Sequence, residues 1–173
     1  MSVEFNIEGL DEVQEKLKRL ANPRLMKNAA RRSMRKAMSI VRDAARANAK
    51  GLDDPETAEK IWKNIAIAAG KTRNPNEVVM RVGVNGGAGV NKHSKSIVMK
   101  ERRKKGEPKQ TLAENTIALT GGNTRHFRYL ELGTSEMPAT PFLRPALQNN
   151  IQAVTNSFAE NFNKEIDKEL AKL

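Results

Sequence analysis

The chain has 173 residues and carries 31 Lys and Arg against 20 Asp and Glu, a formal net charge of +11 that points to acidic or polyanionic partners. It is one domain's length, and a chain of about 150 residues already buries roughly 70% of its unfolded surface, so residues 1–173 are read as a single domain. Without cysteine there is no disulfide scaffold, thiolate metal site or cysteine nucleophile, and aromatics at 4% leave little material for a base-stacking platform.

The charge is unevenly placed. Residues 1–15 carry −5, residues 16–50 carry +11 and residues 71–110 carry +8, with the remaining segments close to neutral. Val3, Phe5 and Ile7 alternate with polar residues, the period of a short half-buried strand, and Gly9 breaks it. Leu10, Val13, Leu17 and Leu20 then recur at helical spacing, with Asp11 and Glu12 in a first turn whose dipole favours acids. Asn22 and Pro23 close that helix and open the next. From Arg24 to Lys50 no Gly or Pro intervenes, and Leu25, Ala29, Ala30, Met34, Ala37, Met38, Val41, Ala44 and Ala45 make one apolar stripe flanked mostly by Arg and Lys.

Gly51 to Pro55 reads as a turn leading into a short helix at Ile61 and Trp62. Ile65, Ile67, Val78, Met80, Val82 and Val84 alternate across a turn at residues 71–76, which predicts a hairpin. Residues 85–110 are Gly-rich and Lys/Arg-rich around Ile97, Val98 and Met99, and read as a basic loop excursion enclosing one short strand. Residues 116–119 suggest another strand and residues 125–132 a short helix. Leu143, Leu147, Ile151, Val154, Phe158, Phe162, Ile166 and Leu170 then predict one terminal helix of about 30 residues, roughly 45 Å long. That stripe exceeds what a small domain covers, which makes Phe158 and Phe162 candidates for a subunit interface.

Chemistry-bearing motifs are few. Residues 89–96 approach a phosphate-binding loop, but Ser94 stands where the second glycine belongs and a strand pattern follows instead of a helix. His93 and His126 are isolated from each other and belong to no His-x3-His or HExxH pattern, no Gly-x-Ser-x-Gly elbow is present, and the Asp53–Asp54 pair reads as turn chemistry. The expectation is therefore a protein with no enzymatic activity, no metal and no cofactor. The basic helix, with Arg31 and Arg35 on it, could neutralise phosphates without choosing sequence, or could simply present a solvated face. The cluster Lys100, Arg102, Arg103, Lys104 and Lys105 could touch DNA or dock on an acidic partner. No run of about 18 apolar residues and no signal-peptide pattern occurs, so a membrane location is not expected.

The segment Tyr129, Leu130, Glu131, Leu132, Gly133, Thr134, followed by Met137, Pro138, Ala139, Pro141, Phe142, Leu143, Arg144, Pro145, Ala146 and Leu147, resembles the signature of the tail-completion, or head-tail joining, proteins of lambda-like long-tailed bacteriophages. Val3 with Gly9, Leu10, Asp11 and Glu12 is similar to the family's opening strand and helix, and the order of elements fits over most of the chain. The resemblance implies an α+β fold, with a small antiparallel sheet packed by two N-terminal helices and a long C-terminal helix. It implies a structural virion protein, assembled in the host cytoplasm as a hexameric ring at the neck beside the connector or tail terminator. DNA would pass through the central channel. The alternative from the residues alone is a nonspecific DNA-binding protein using helix 24–50 and loop 100–105.

Overall fold

The structure is a computed structural model, described here for residue 18 and residues 21–53, 56–74, 77–87, 89–90, 94–108 and 110–171. The strand expected at Val3 to Ile7, the helix expected at Leu10 to Leu20 apart from Lys18, and His93 lie outside the described residues.

The longest element is α1, Pro23–Lys50. Asn22 caps it, its side-chain oxygen accepting the Arg24 and Leu25 amides at 3.0 and 3.4 Å, and Pro23 occupies the first turn, where no intrahelical N–H is needed. The side of α1 turned inward is Ala29, Ser33, Ala37, Val41, Ala45 and Ala49, a residue every four positions and all small. The predicted stripe is thus shifted. Leu25, Ala30, Met34, Met38 and Ala44 are only half-buried, while Ser33 and Ala49, which the hydrophobic pattern passed over, are closed off. Small side chains at every buried position bring the α1 backbone close to its neighbours.

One helical turn, α2 (Ile61–Asn64), runs directly into β1 (Ile65–Ala69), which pairs antiparallel with β2 (Met80–Val84) in the register Ile65 to Val84, Ile67 to Val82 and Ala69 to Met80. This is the predicted hairpin. The core joins it to α1: Val41, Ala45, Ala49, Ile61, Ile65, Phe142 and Ala146 form one buried cluster, with Trp62, Val82, Phe127, Leu143 and Val154 against it.

The short strand inside the basic excursion is β3 (Ser96–Met99), and residues 116–119 form β4 (Thr116–Leu119). These two pair in parallel, Ser96 beside Thr116 and Met99 beside Leu119, apart from the hairpin. The architecture is α+β with an antiparallel two-stranded sheet against helices, and the second, parallel pair is not part of that sheet. Parallel pairing needs a crossover of roughly a dozen residues or more, and the basic segment supplies it without a helix. Gln110 fastens the crossover by donating to the Met99 carbonyl at 3.2 Å and accepting the Glu101 amide at 3.3 Å.

The C-terminal part is α3 (Phe127–Leu132), α4 (Leu143–Gln148) and α5 (Ile151–Leu170). The single helix of about 30 residues expected from Leu143 is therefore two helices. Asn149 and Asn150 break it: the Asn150 amide bonds Leu147 one residue early, at 3.1 Å, and the Asn150 side chain donates to the Ala146 carbonyl at 2.9 Å. Asparagine competes with the backbone in this way, and apolar periodicity cannot register it. Beyond the break, α5 lies along α1.

Candidate functional site

The segment 129–147 forms one locked unit. Glu131, on α3, is buried, and its carboxylate accepts the backbone N–H groups of Phe142 at 2.8 Å, Leu143 at 2.9 Å and Arg144 at 3.1 Å. A helix start has N–H groups without intrahelical partners, and here a side chain from another helix satisfies three of those at the head of α4. The Arg144 guanidinium lies 3.8 Å from the same carboxylate. Phe142 is fully buried in the core cluster.

The intervening loop is fixed at both ends. Gly133 ends α3 at φ +75°, where a Cβ would stand 2.8 Å from the Ala139 amide nitrogen. The Thr134 amide donates to the Met137 carbonyl and the Thr134 hydroxyl accepts the Met137 amide, at 2.8 and 3.0 Å, while the Thr140 amide returns to the Leu130 carbonyl at 2.7 Å. The arrangement sets the angle between α3 and α4, and around it Tyr129, Leu132, Met137, Leu147 and Ile151 stand exposed.

The basic residues of α1 converge on a groove of 540 Å³ lined by Arg32, Arg35, Lys36, Ser39, Arg42, Arg46, Ala66 and Ile67. Most of these cations are engaged. Arg32 bonds Glu165 at 2.5 Å and Glu169 at 3.2 Å, Lys36 lies 3.8 Å from Glu165, and Arg42 holds Asp43 at 2.8 Å. Arg46 donates twice to the Ile65 carbonyl, at 3.2 and 2.8 Å. Arg35 in the groove and Arg31, exposed elsewhere on α1, have no ion-pair partner among the described residues. The Arg32 hydrogen bond, helped by Lys168, holds Glu165 below the usual carboxylate range even though burial pushes the other way. Arg42 likewise lowers Asp43, mainly through its hydrogen bonds.

Lys100, Arg102, Arg103, Lys104 and Lys105 are exposed on the crossover between β3 and β4. Glu107 shapes this turn, its carboxylate accepting the Lys104 amide at 2.8 Å and its carbonyl accepting from Arg103 at 3.2 Å. Lys100 and Arg103 line a second groove with Gln110, Leu112 and Ala118, so the structure places the two basic groups predicted from sequence on separate surfaces. Phe158 and Phe162 stack on each other, centroids 5.5 Å apart and rings inclined by 13°, and both are half-buried.

Three residues with large structural roles gave little signal in sequence. Asn64 is buried and donates to the Gly122 carbonyl at 2.9 Å and the Thr124 hydroxyl at 2.8 Å, while its oxygen accepts the Gly121 amide at 2.8 Å. Glu165, buried on α5, joins that helix to α1. Arg46 caps the first carbonyl of β1. A lone polar residue among apolar neighbours, such as Asn64 after Ile61 and Trp62, is the available cue, and it does not name the partner. Among the described residues, no three His, Asp or Glu side chains gather as a metal site would require, and no helix is long and apolar enough to cross a membrane.

No family model, curated protein or solved structure matches the chain.

Proposed function

We propose that this protein is a structural component of a long-tailed bacteriophage virion, forming a ring at the neck that completes the tail and joins it to the head, without catalytic turnover. The observation that carries the reading is the segment 129–147. The residues that resemble the tail-completion signature form one mechanical unit here, in which Glu131 seats the Phe142 to Arg144 turn and Gly133 and Thr134 fix the path between them. Such a unit sets a rigid angle and presents apolar side chains around it, which suits a subunit that must repeat identically around a closed ring. The partners on this reading are copies of the same chain, six to a ring, the neighbouring connector or tail terminator, and DNA in the channel.

The test is a phage lacking this gene product, imaged after infection. Separate full heads and finished tails are expected for a joining role and overlong tails for a termination role, whereas normal complete virions overturn the proposal. Nucleotide hydrolysis by the purified protein would overturn the absence of turnover.

A second reading, nonspecific DNA binding, draws support from the exposed turn at Arg102, Arg103, Lys104 and Lys105. On that reading affinity falls steeply with salt and is indifferent to sequence.

A further inference from the structure

Four arginines of α1 fall on one line. Arg24, Arg31, Arg35 and Arg42 follow one another at intervals of seven, four and seven residues, and at about 100° per residue all four point within roughly 40° of a common direction. At 1.5 Å per residue the row is about 27 Å long. Arg24, Arg31 and Arg35 are exposed, and among the described residues their guanidiniums have no hydrogen-bond or ion-pair partner, while Arg42 holds Asp43. The acids of α5 that reach α1, Glu165 and Glu169, are engaged by Arg32, Lys36 and Lys168. Arg31 and Arg35 stand four residues apart, where like charges on a helix repel, so the row does not help the fold and is relieved by an external anion.

We propose that this row is the chain's contact with double-stranded DNA, each arginine meeting a phosphate. The inference rests on the DNA contact in the readings above and moves it from the turn at residues 102–105 to α1. A duplex presents one charge for about every 1.7 Å of its axis, about 16 along 27 Å, so a straight row of that length finds a phosphate within reach of each arginine.

The surroundings of the row favour a duplex over other anionic partners. Single strands are held by stacking on aromatic rings and protein partners by aromatic anchors, and the groove that Arg35 and Arg42 line has no aromatic residue among its described lining. Nor is α1 a free rod. Helices α4 and α5 and the hairpin pack against it, which makes it too broad to enter a major groove about 12 Å wide, so it lies across the phosphates instead. Contacts of that kind position DNA without reading its bases.

The test is the salt dependence with which the full-length protein binds a labelled duplex of about 30 base pairs, because log K falls against log salt with a slope of about −0.9 for each phosphate neutralised. Four contacts give an expected slope of about −3.6, and Arg31→Gln/Arg35→Gln is expected to reduce it to about −1.8, whereas Arg31→Lys/Arg35→Lys, which keeps the charge, holds it near the wild-type slope. Arg102→Gln/Lys105→Gln, on the turn, is expected to leave it unchanged. All four positions are exposed, melting curves check that each variant folds, and Arg31→Gln and Arg35→Gln taken singly, each shifting the slope by about 0.9, give the same reading. If the wild type binds duplex but the α1 variants keep its slope, or only the turn variant changes it, the assignment to α1 is overturned and DNA binding stands. If the wild type binds no duplex, both are overturned. Poly-glutamate that competes as well as duplex at equal charge would give the row to an acidic protein and overturn the proposal.

Discussion

The Glu131 carboxylate accepts the amide of Phe142, eleven residues further along the chain, at 2.8 Å, and this single contact closes the turn that delivers a fully buried phenyl ring to the core. Removing the acceptor strands three N–H groups at the head of α4. Glu131→Ala is expected to cost about 3 to 5 kcal/mol, because each hydrogen bond to a charged group contributes roughly 1.5 to 3 kcal/mol and the three are not additive. Glu131→Gln, which keeps an acceptor oxygen, is expected to lose less. Urea denaturation of the two variants measures the difference, and equal losses would show that the charge and not the acceptor count matters.

At Gly121 the expectation is steric. A Cβ there would lie 2.1 Å from the Lys60 carbonyl oxygen and 2.9 Å from the Asn64 amide group. The Lys60 oxygen is backbone, so it yields only by moving α2, and Gly121→Ala is expected to destabilise by about 1 to 3 kcal/mol. Thermal unfolding of Gly121→Ala beside Gly87→Ala, where nothing stands in the way but φ is +77°, separates the clash from the cost of a left-handed backbone.

Acid should loosen α5 from α1. Glu165 faces Arg32, Lys36 and Lys168, with Glu169 beside it, and its carboxyl titrates below the usual glutamate range. A carboxyl whose folded value lies below its unfolded value contributes stability above the unfolded value and loses it as pH falls through the folded one. Stability is therefore expected to decline below the ordinary glutamate range, and Asp43, lowered by Arg42, acts in the same direction. Glu165→Gln should flatten that decline in melting curves taken across acid pH; an unchanged slope would refute the assignment.

If the proposed ring forms, interface and core are separable on the C-terminal helices. Leu147 is 46% exposed and Ile151 57% exposed, on either side of the asparagine break, whereas Phe158 and Phe162 are half-buried and lie against each other. Leu147→Asp/Ile151→Asp is expected to abolish self-association in sedimentation while leaving the melting temperature close to wild type. Phe158→Ala is expected to lower stability, by less than the roughly 3 to 5 kcal/mol of a fully buried phenylalanine. Intact association in the aspartate variant would remove this patch from the proposed ring interface.

The hairpin, α1 and the short helix at 127–132 were legible because each writes its period in apolar residues: Ile65, Ile67, Val82 and Val84 alternate, and no Gly or Pro interrupts residues 24–50. The break at Asn149 and Asn150 was not, because it is made by side-chain amides bonding the backbone inside an unbroken apolar stripe. Parallel pairing of β3 and β4 was equally hidden, since strand direction depends on where a crossover returns the chain. Of the candidate site, the basic residues were visible as composition, but their division between two grooves follows from tertiary placement. Glu131 stood within a recognisable motif. Its role as the acceptor for three amides emerges only when α3 and α4 are set side by side.

The four-residue interval of the buried side of α1 has a geometric consequence. Four residues turn an α-helix by about 400°, so each successive member from Ala29 to Ala49 lies about 40° further round, and the track winds through roughly 200° over its length. Its first half opens toward the end of α5 that carries Glu165, and its second half, from Val41, belongs to the cluster with Ile61, Ile65 and Phe142. The two halves of the molecule are therefore phased by one rod, as cams are by a shaft. A single residue inserted between Ala37 and Val41 would turn one half against the other by about 100° and advance it by about 1.5 Å. No side-chain adjustment restores that phase, so α1 should tolerate substitution along its exposed faces far better than any change in its length.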